Sequence, residues 1–426
     1  MDFEHVVAGQ TVLVEGERIV SIGPFASVAL PADATRIDGR GKYLMPGLAD
    51  MHIHIPPEGS DEATAAKEFL LFVAHGVTTA RVMIGQPEHL ALRDKIARGE
   101  LLGPSLYVAG PPLGIKAGAL PGVPEIKTLD DARRVPAGQK KAGYDYVKLL
   151  DDLTLEQYDA IFAGAREAGI PVVGHVPDSV SLEHALAMKQ DSIEHLGGYV
   201  EALIPVALRS KPDLRLRDIV GVLEEARIPE LAAATKRTGI ANVPTLYFWS
   251  ALVSADSPEE LAKRPGLEFV SKKEQEGWAE QRRKAIAGNP SPPDYAHYHD
   301  VRARITRALA DAGATILLGT DSPDFYNVAG VAAHEELLRL VAAGLTPYQA
   351  LRGGTRAAAE FVHAEKEFGT VAPGLRADLL LLDANPLSDV RNLRRRAGVM
   401  VRGRWSSEAE LRQKLTALAA EAAAGK

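Results

Sequence analysis

Five residues in this chain have the types and positions that could bind a metal ion. His52 and His54 lie two residues apart at the end of a β-forming run, so both imidazoles would project to the same side of a strand. His175, His195 and Asp321 each follow a later apolar run and precede a glycine or proline turn. The chain contains no cysteine, so a metal would be held by histidine, carboxylate or a modified side chain. Four histidines and one aspartate meeting at one place fit a metal such as zinc, although each residue alone could be an ordinary polar residue at a strand end.

Lys148 lies inside the apolar run YVKLLDD, where a buried charge is costly without a partner. In one interpretation, its ammonium group reaches the end of the strand and pairs with Asp151 or Asp152. In the other, loss of solvent and a nearby metal lower the pKa of Lys148, and the neutral amine reacts with CO2. The resulting carbamate would supply anionic oxygens that bridge two metal ions. The second interpretation therefore predicts a binuclear site.

Eight β-type runs, each followed by a segment with helical patterning, predict the scaffold that would position these residues. The runs cover residues 43–55, 78–85, 106–115, 146–152, 171–176, 192–199, 242–249 and 315–323. Such alternation favours an α/β fold of the (β/α)8 TIM-barrel type, in which the carboxyl ends of all strands meet at one mouth. One of the connecting helices is predicted over Leu155–Ala168 and ends at Gly169.

Strand-like segments at both chain ends, without helices between them, predict a second and smaller domain. Residues 1–44 and 365–405 are expected to form a β-sandwich beside the metal-binding barrel of residues 45–364. Residues 254–299 are charged, polar and interrupted by prolines, and are too long for a simple connection. They predict a lid-like insertion at the barrel rim. Residues 406–426 predict a C-terminal helix.

The overall composition argues against several classes of protein. With 426 residues, 46% of them hydrophobic, the chain can bury a large core. A formal net charge of −7 argues against a nucleic-acid partner, and the absence of a run of about 18 apolar residues argues against a membrane span. The N-terminus lacks the basic and apolar regions of a signal peptide. The location stays open: cytoplasmic, or periplasmic or secreted if an N-terminal segment is missing. The expected partner is a small-molecule substrate, and a homo-oligomer is also compatible.

In combination, these motifs resemble the amidohydrolase superfamily, close to its imidazolonepropionase-like and prolidase-like members. The prolidase-like branch includes Xaa-Pro or Xaa-Arg dipeptidases and ochratoxinase-like enzymes. The resemblance rests on the segments PGLADMHIHI, HGVTTAR, YDYVKLL, VVGHV, SIEHLGG, GTDSP and GTVAPGLRADLLLLDANPL. It extends from about Val12 to Trp405, and it implies a barrel with a β-sandwich and zinc as the usual metal. Carried over to this sequence, it implies one metal bound by His52, His54 and Asp321, a second bound by His175 and His195, and carboxylated Lys148 as the bridge between them.

Three features depart from the prolidase-like pattern. Val82 occupies a position where prolidase-like sequences usually have an aspartate. The loop GPPLGIKAGALPGVP lacks the Gly-Gly-His segment of close dipeptidases. Both differences fall where the substrate would be recognised, so they weaken the assignment of a dipeptide. Similar proteins also have one more strand before Gln10, which predicts that a leading segment is missing here.

The predicted reaction is hydrolysis of an amide bond by a metal-dependent enzyme. Asp321 would accept the proton of the attacking water and pass it to the leaving amine. Tyr247, at the predicted end of the seventh strand, is the candidate for stabilising the oxyanion, and the alternative is a core tyrosine. The weaker candidates for binding substrate are Arg81, His297, His299 and His334, and for His334 the favoured interpretation is that it caps a helix face. Expected substrates are N-acyl amino acids, dipeptides or ochratoxin-type aryl amides, cleaved as by a carboxypeptidase or dipeptidase.

Two other functions are compatible with the same residues. The first is a deaminase, or a hydrolase of cyclic amides or lactones, on the same scaffold. Its products would be ammonia or an opened ring, and no free amino acid. The second is a protein that binds metal without catalysis, although a structural site has no use for an open coordination position beside a base such as Asp321.

Overall fold

The strands and helices alternate along most of the chain. The computed structural model describes residues 4–55, 62–115, 122–209, 214–289 and 291–425. Its strands are β1 (Gln10–Glu15), β2 (Arg18–Pro24), β3 (Tyr43–Pro46), β4 (Leu48–Ile53), β5 (Val77–Val82), β6 (Ser105–Val108), β7 (Val147–Leu149), β8 (Val172–Gly174), β9 (Ser192–Glu194), β10 (Ala241–Val243), β11 (Thr315–Ile316), β12 (Leu379–Leu382), β13 (Arg396–Val401) and β14 (Arg404–Ser407).

The α-helices connect and cover these strands. They are α1 (Glu62–Ala74), α2 (Pro87–Ala97), α3 (Leu129–Ala142), α4 (Leu155–Ala168), α5 (Leu182–Met188), α6 (Tyr199–Ala202), α7 (Val206–Arg209), α8 (Leu216–Ile219), α9 (Ile228–Thr238), α10 (Leu246–Leu252), α11 (Pro258–Leu261), α12 (Lys272–Ala287), α13 (Tyr295–Asp311), α14 (Val331–Ala342), α15 (Pro347–Gly353), α16 (Arg356–Phe361) and α17 (Glu408–Ala423). None of the helices within the described ranges is long and apolar enough to cross a membrane.

Strands β4 to β11 are parallel and form a TIM-barrel-like α/β fold. They are arranged as a three-stranded sheet, β4-β5-β6, and a five-stranded sheet, β7-β8-β9-β10-β11. Single parallel bridges between Ala109 and Tyr146 and between Leu113 and Leu149 connect β6 to β7. On the other side, a parallel bridge between Ile53 and the segment after β11 connects the outer edges of the two sheets. Within each sheet the strands therefore follow the same order as along the chain.

Helix α4 shows how the sequence defines the connecting helices. Thr154 and Gln157 form a capping box at its first turn, and Gly169 ends it with a left-handed φ of 63°. The buried residues of α4 include Tyr158 and Ile161, which face the strands. The predicted bounds of this helix, Leu155–Ala168, are confirmed.

Both ends of the chain contribute to a separate antiparallel sheet with the order β14-β13-β12-β3. The hairpin of β1 and β2 packs on it through an apolar cluster that includes Ile19 and Leu379. The first predicted run is thus divided: Pro46 ends β3 in this sheet, and Gly47 leads directly into β4. A Cβ atom on Gly47 would lie 2.1 Å from Oγ1 of Thr78, so glycine is required at this close crossing.

The predicted seventh strand is shorter than the sequence indicates. The sequence predicts a strand throughout residues 242–249, but β10 ends at Val243 and α10 begins at Leu246. Pro244 has no N–H group to continue the ladder, and Thr245 turns the chain with a left-handed φ of 48°. Tyr247 is consequently on a helix and not at the end of a strand.

Candidate metal centre

His52, His54 and Asp321 are brought together at the carboxyl ends of the first and last barrel strands. Nε2 of His54 lies 2.7 Å from Oδ1 of Asp321, and Nε2 of His52 lies 3.1 Å from the same oxygen. The backbone holds this geometry, because the N–H of His54 donates to the carbonyl oxygen of Ser322 at 2.8 Å. One ligand atom from each of the three side chains lies within 4.8 Å of the others. This spacing allows one metal ion to contact all three.

His195 and His175 extend the group on the side of β8 and β9. The ring centroid of His195 lies 4.7 Å from that of His52 and 4.9 Å from that of His175. Nε2 of His195 is 3.6 Å from Oδ2 of Asp321, so this carboxylate faces ligands on both sides. We refer to His52, His54, His175, His195 and Asp321 as the ligand cluster. The sequence predicts that these five residues converge, and the structure places them next to one another.

Lys148, at the centre of β7, has a side chain that is enclosed by the barrel. It is 1% exposed, and a Cβ atom on Gly174 would lie 3.0 Å from its Cδ. Burial lowers the pKa of Lys148 to about 8, and the nearby carboxylates of Glu194 and Asp321 counteract part of this shift. Asp151 also counteracts part of the shift, so the pairing with Asp151 or Asp152 and the carbamate both stay predictions.

Three histidines of the ligand cluster use Nδ1 for a hydrogen bond, so Nε2 is the nitrogen with which each could bind a metal. The pairs are His52 with Glu194 at 2.8 Å, His175 with Asp151 at 2.8 Å and His195 with Thr245 at 2.7 Å. Such partners fix the tautomer and the ring orientation of a metal-binding histidine. Glu194 and Thr245 are not among the site residues predicted from the sequence. The only available signal was their position, immediately before His195 and just after β10.

Asp321 is ionised in this environment. Burial alone would raise its pKa, but His52 and His195 and the hydrogen bonds from His52 and His54 hold the pKa well below its usual range. Burial also lowers the pKa of His195 well below its ordinary value, which keeps its imidazole neutral. A carboxylate together with imidazole nitrogens is a donor set that suits a divalent cation. Because the chain has no thiol and the cluster offers only nitrogen and oxygen, the residues present fit zinc or a related divalent ion.

The loop before Asp321 is fixed by Asp50, which lies two residues before His52 on β4. Oδ2 of Asp50 accepts a hydrogen bond from the hydroxyl group of Thr320 at 2.7 Å, and Oδ1 of Asp50 accepts one from the backbone N–H of Thr320 at 3.0 Å. The backbone at Asp321 and His195 is left-handed, with φ values of 61° and 59°. Non-glycine residues rarely adopt this conformation, and here it coincides with ligand positions.

Tyr247, the predicted oxyanion residue, points away from the ligand cluster. Its ring is buried and stacks on Arg264, whose Cζ lies 3.6 Å from the ring centroid. It lines a cavity of about 310 Å³ together with Glu335 and Arg339, and no member of the cluster is among the described residues lining it. Trp249, two residues further along the short helix, lies on the opposite side, with its ring centroid 6.0 Å from that of His195.

The four weaker candidates for binding substrate have other partners in the structure. Arg81 is fully buried in an ion pair with Glu194. His297 pairs with Glu225 at 2.8 Å, and His299 contacts the carbonyl oxygen of Val253 at 2.6 Å. His334 is buried and contacts the carbonyl oxygen of His75 at 2.8 Å. None of these contacts is to a residue of the ligand cluster.

The fold and the site define a class of metal-dependent barrel proteins, and the family comparison agrees. Residues 43–406 match the model of the amidohydrolase family, and the chain belongs to this family. The predicted resemblance is thereby confirmed.

The chain is similar over its length to three proteins with known structures or activities. It is 26% identical to a bottromycin amidohydrolase, with a TM-score of 0.75 over 97% of this chain and 86% of the other. It is 26% identical to a putative prolidase from Bifidobacterium longum, with a TM-score of 0.66 over 97% and 93%. It is 24% identical to an imidazolonepropionase from Geobacillus sp., over 89% of this chain and 85% of the other. An adenine deaminase from Rhizobium meliloti is 26% identical over 47% of this chain, which spans only 34% of that relative's length.

Proposed function

We propose that this protein is a binuclear metal hydrolase that cleaves an amide bond in a small molecule. The observation that carries the proposal is the convergence of one ionised carboxylate, Asp321, with four histidines beside a buried lysine. This donor set exceeds what a single four-coordinate ion requires and therefore supports two ions. The match of most of the chain to the amidohydrolase family supports the reaction class.

The proposed ligands divide into two groups around Asp321. His52, His54 and Asp321 would hold one ion, and His175 and His195 would hold the second. Lys148, as a carbamate, would bridge the two ions, with its burial favouring the neutral amine that reacts with CO2. Zinc is the proposed metal. When bound, such ions acidify a water molecule and polarise the carbonyl group of the substrate.

The protein's own groups would move the proton. Asp321, ionised at neutral pH, accepts a proton as the water oxygen bonds to the carbonyl carbon. It then donates this proton to the leaving nitrogen as the C–N bond breaks, so that an acid and an amine are released. Thr245 and Glu194 keep the imidazoles of His195 and His52 in place during this exchange. Trp249 provides an aromatic wall beside His195, and no step is assigned to Tyr247.

The proposed substrates are N-acyl amino acids, dipeptides or ochratoxin-type aryl amides, cleaved in the manner of a carboxypeptidase or dipeptidase. The similarity to a putative prolidase and to a bottromycin amidohydrolase supports a peptide-like amide. The alternative is hydrolysis of a cyclic amide or deamination, which the similarity to an imidazolonepropionase and to an adenine deaminase supports. Analysis of the products distinguishes peptide-like amide hydrolysis from this alternative function.

The proposed architecture is a closed (β/α)8 barrel with a β-sandwich formed by both chain ends. The bridges that connect β6 to β7 and β4 to the segment after β11 support closure. The packing of the β1–β2 hairpin on the four-stranded sheet supports the sandwich. Residues 254–299, which include α11 and α12, remain the proposed lid-like insertion, and α17 the C-terminal helix.

The decisive experiment combines metal analysis with a substrate panel. Purified protein should contain about two divalent ions per chain, and the zinc-loaded form should release a free amino acid from some N-acyl amino acids or dipeptides. Asp321→Asn should fold normally but lose roughly 10²–10⁴ in kcat, as expected for a general acid–base group. A reproducible metal content of zero would contradict the proposal. Release of ammonia or ring opening in place of an amino acid would favour the alternative function.

A further inference from the structure

A buried ion pair lies directly behind His52. Glu194 uses its two carboxylate oxygens separately: Oε2 is 2.8 Å from Nδ1 of His52, and Oε1 accepts a hydrogen bond from Nη2 of Arg81 at 2.8 Å. The side chains of Arg81 and Glu194 are both 0% exposed. The three residues come from β4, β5 and β9, so the contact crosses the interior of the barrel.

Arg81 is held in place from several directions. Its Nε donates to the carbonyl oxygen of Met51 at 2.6 Å, and its Nη1 donates to Oγ of Ser192 at 2.9 Å. The rings of Tyr146 and Phe361 lie 5.7 and 5.1 Å from its Cζ. A guanidinium group that is enclosed and fully engaged in this way cannot reach a substrate. Its charge acts on Glu194 instead.

The pair determines which nitrogen of His52 is available to a metal. An ionised carboxylate only accepts hydrogen bonds, so the contact with Glu194 places a proton on Nδ1 of His52. Nε2, which lies 3.1 Å from Oδ1 of Asp321, is then the nitrogen of His52 that a metal would contact. A buried carboxylate without a counter-ion would be strongly disfavoured, and Arg81 supplies that counter-ion without contacting the imidazole.

We propose that Arg81 and Glu194 are a positioning pair that fixes the orientation and tautomer of His52 as a metal ligand. This inference rests on the proposed metal site. It assigns Arg81 a role in metal binding in place of the substrate binding expected from the sequence.

The test is the zinc affinity of folded variants, measured by competition with a chromophoric chelator. Glu194→Gln should weaken the affinity for the more tightly held ion about 10–100-fold, as is usual when such a partner of a ligand is removed. Arg81→Met should have a similar effect because it leaves Glu194 without its counter-ion. Arg81→Lys keeps the charge and should recover part of the affinity.

Asp378→Asn is the matched control. It removes a largely buried ion pair, between Asp378 and Arg376, which adjoins Gly47 at the other end of β4. This variant should lower the melting temperature of the protein and leave its zinc affinity unchanged, as expected for a purely structural pair.

The outcomes separate this inference from the proposed function. A folded Glu194→Gln protein with wild-type zinc affinity would overturn the positioning role but not the metal site. A wild-type protein that binds no zinc would overturn the proposed function itself. If Glu194→Gln does not fold, the comparison of Arg81→Lys with Arg81→Met decides. Equal zinc affinity in these two variants would overturn the inference.

Discussion

Gly174 is the position where a single added methyl group should disturb the site most directly. It ends β8 immediately before His175 and has a φ of +126°, a conformation that side chains rarely adopt. A Cβ atom there would lie 2.4 Å from the carbonyl oxygen of Leu149 and 3.0 Å from Cδ of Lys148. The same oxygen of Leu149 accepts a hydrogen bond from the N–H of His175 at 3.0 Å. Gly174→Ala must therefore separate β7 from β8 where both carry a proposed metal-binding side chain.

The expected cost has two parts. A residue held in a disfavoured backbone conformation costs on the order of 1–3 kcal/mol. Forcing a methyl group into a packed interior costs typically another 1–3 kcal/mol. The free energy of unfolding should therefore fall by about 2–6 kcal/mol. Gly169→Ala is the matched control, because Gly169 also has a positive φ, of 63°, but a Cβ atom added to it would meet no heavy atom within 4 Å. It should lose only about 1 kcal/mol.

The measurement is equilibrium denaturation of the metal-free proteins, followed by zinc titration of each folded variant. We expect Gly174→Ala to lose stability well beyond the control and to bind less zinc, because Lys148 and His175 are displaced. If Gly174→Ala matches Gly169→Ala in both stability and zinc content, the close approach of β7 and β8 does not position these ligands.

Three further predictions follow from individual side chains. Lys148→Ala should retain one metal ion and lose most activity, and a variant with two ions and full activity would refute the bridging role of Lys148. Bicarbonate should speed the assembly of the metal site in wild-type protein that starts metal-free and depleted of CO2. Tyr247→Phe should change kcat/KM little, whereas Trp249→Ala should raise KM roughly tenfold, which corresponds to about 1.4 kcal/mol of substrate-binding free energy. If steady-state kinetics show the larger effect for Tyr247→Phe, the tyrosine takes part in the reaction. Burial lowers the pKa of His75 to about 4 and that of His334 well below its ordinary value, so both are neutral in the folded protein. The free energy of unfolding should therefore decrease as the pH falls below about 6.5, the range in which these histidines gain protons only in the unfolded chain. The decrease should reach roughly 1.4 kcal/mol per pH unit for each histidine. Urea denaturation at pH 7.5 and 5 should show a smaller loss for His334→Gln than for the wild type, and equal losses would contradict this origin.

The parts of the site that were predictable from sequence are those with a strict period. His52 and His54 are two residues apart on one strand, and the recurrence of polar residues after apolar runs indicated where His175, His195 and Asp321 would meet. The same regularity identified the alternating fold and helix α4. These predictions depend on local geometry that every strand or helix shares.

The parts that sequence could not predict depend on which way a short segment turns. Thr245 adopts a left-handed conformation, so α10 begins three residues after Val243 and directs Tyr247 away from the ligand cluster. Arg81 looked like a substrate-binding cation because its charge is visible in the sequence, but its burial and its pairing with Glu194 arise from strands far apart in the chain. Propensity and spacing contain no information about such long-range contacts.

The position of β3 affects the order in which parts of the protein can fold during synthesis. In the four-stranded sheet, β3 is an edge strand, and its neighbour β12 is separated from it by about 330 residues of chain. At a synthesis rate of about 5–20 residues per second, β3 would wait roughly 20–70 s for its partner to leave the ribosome. During that time β4, joined to it through Gly47 alone, can already pair with β5. The barrel can thus begin to form while an unpaired strand remains open to wrong partners, so nascent chains arrested before Leu379 should be more prone to aggregation than released ones.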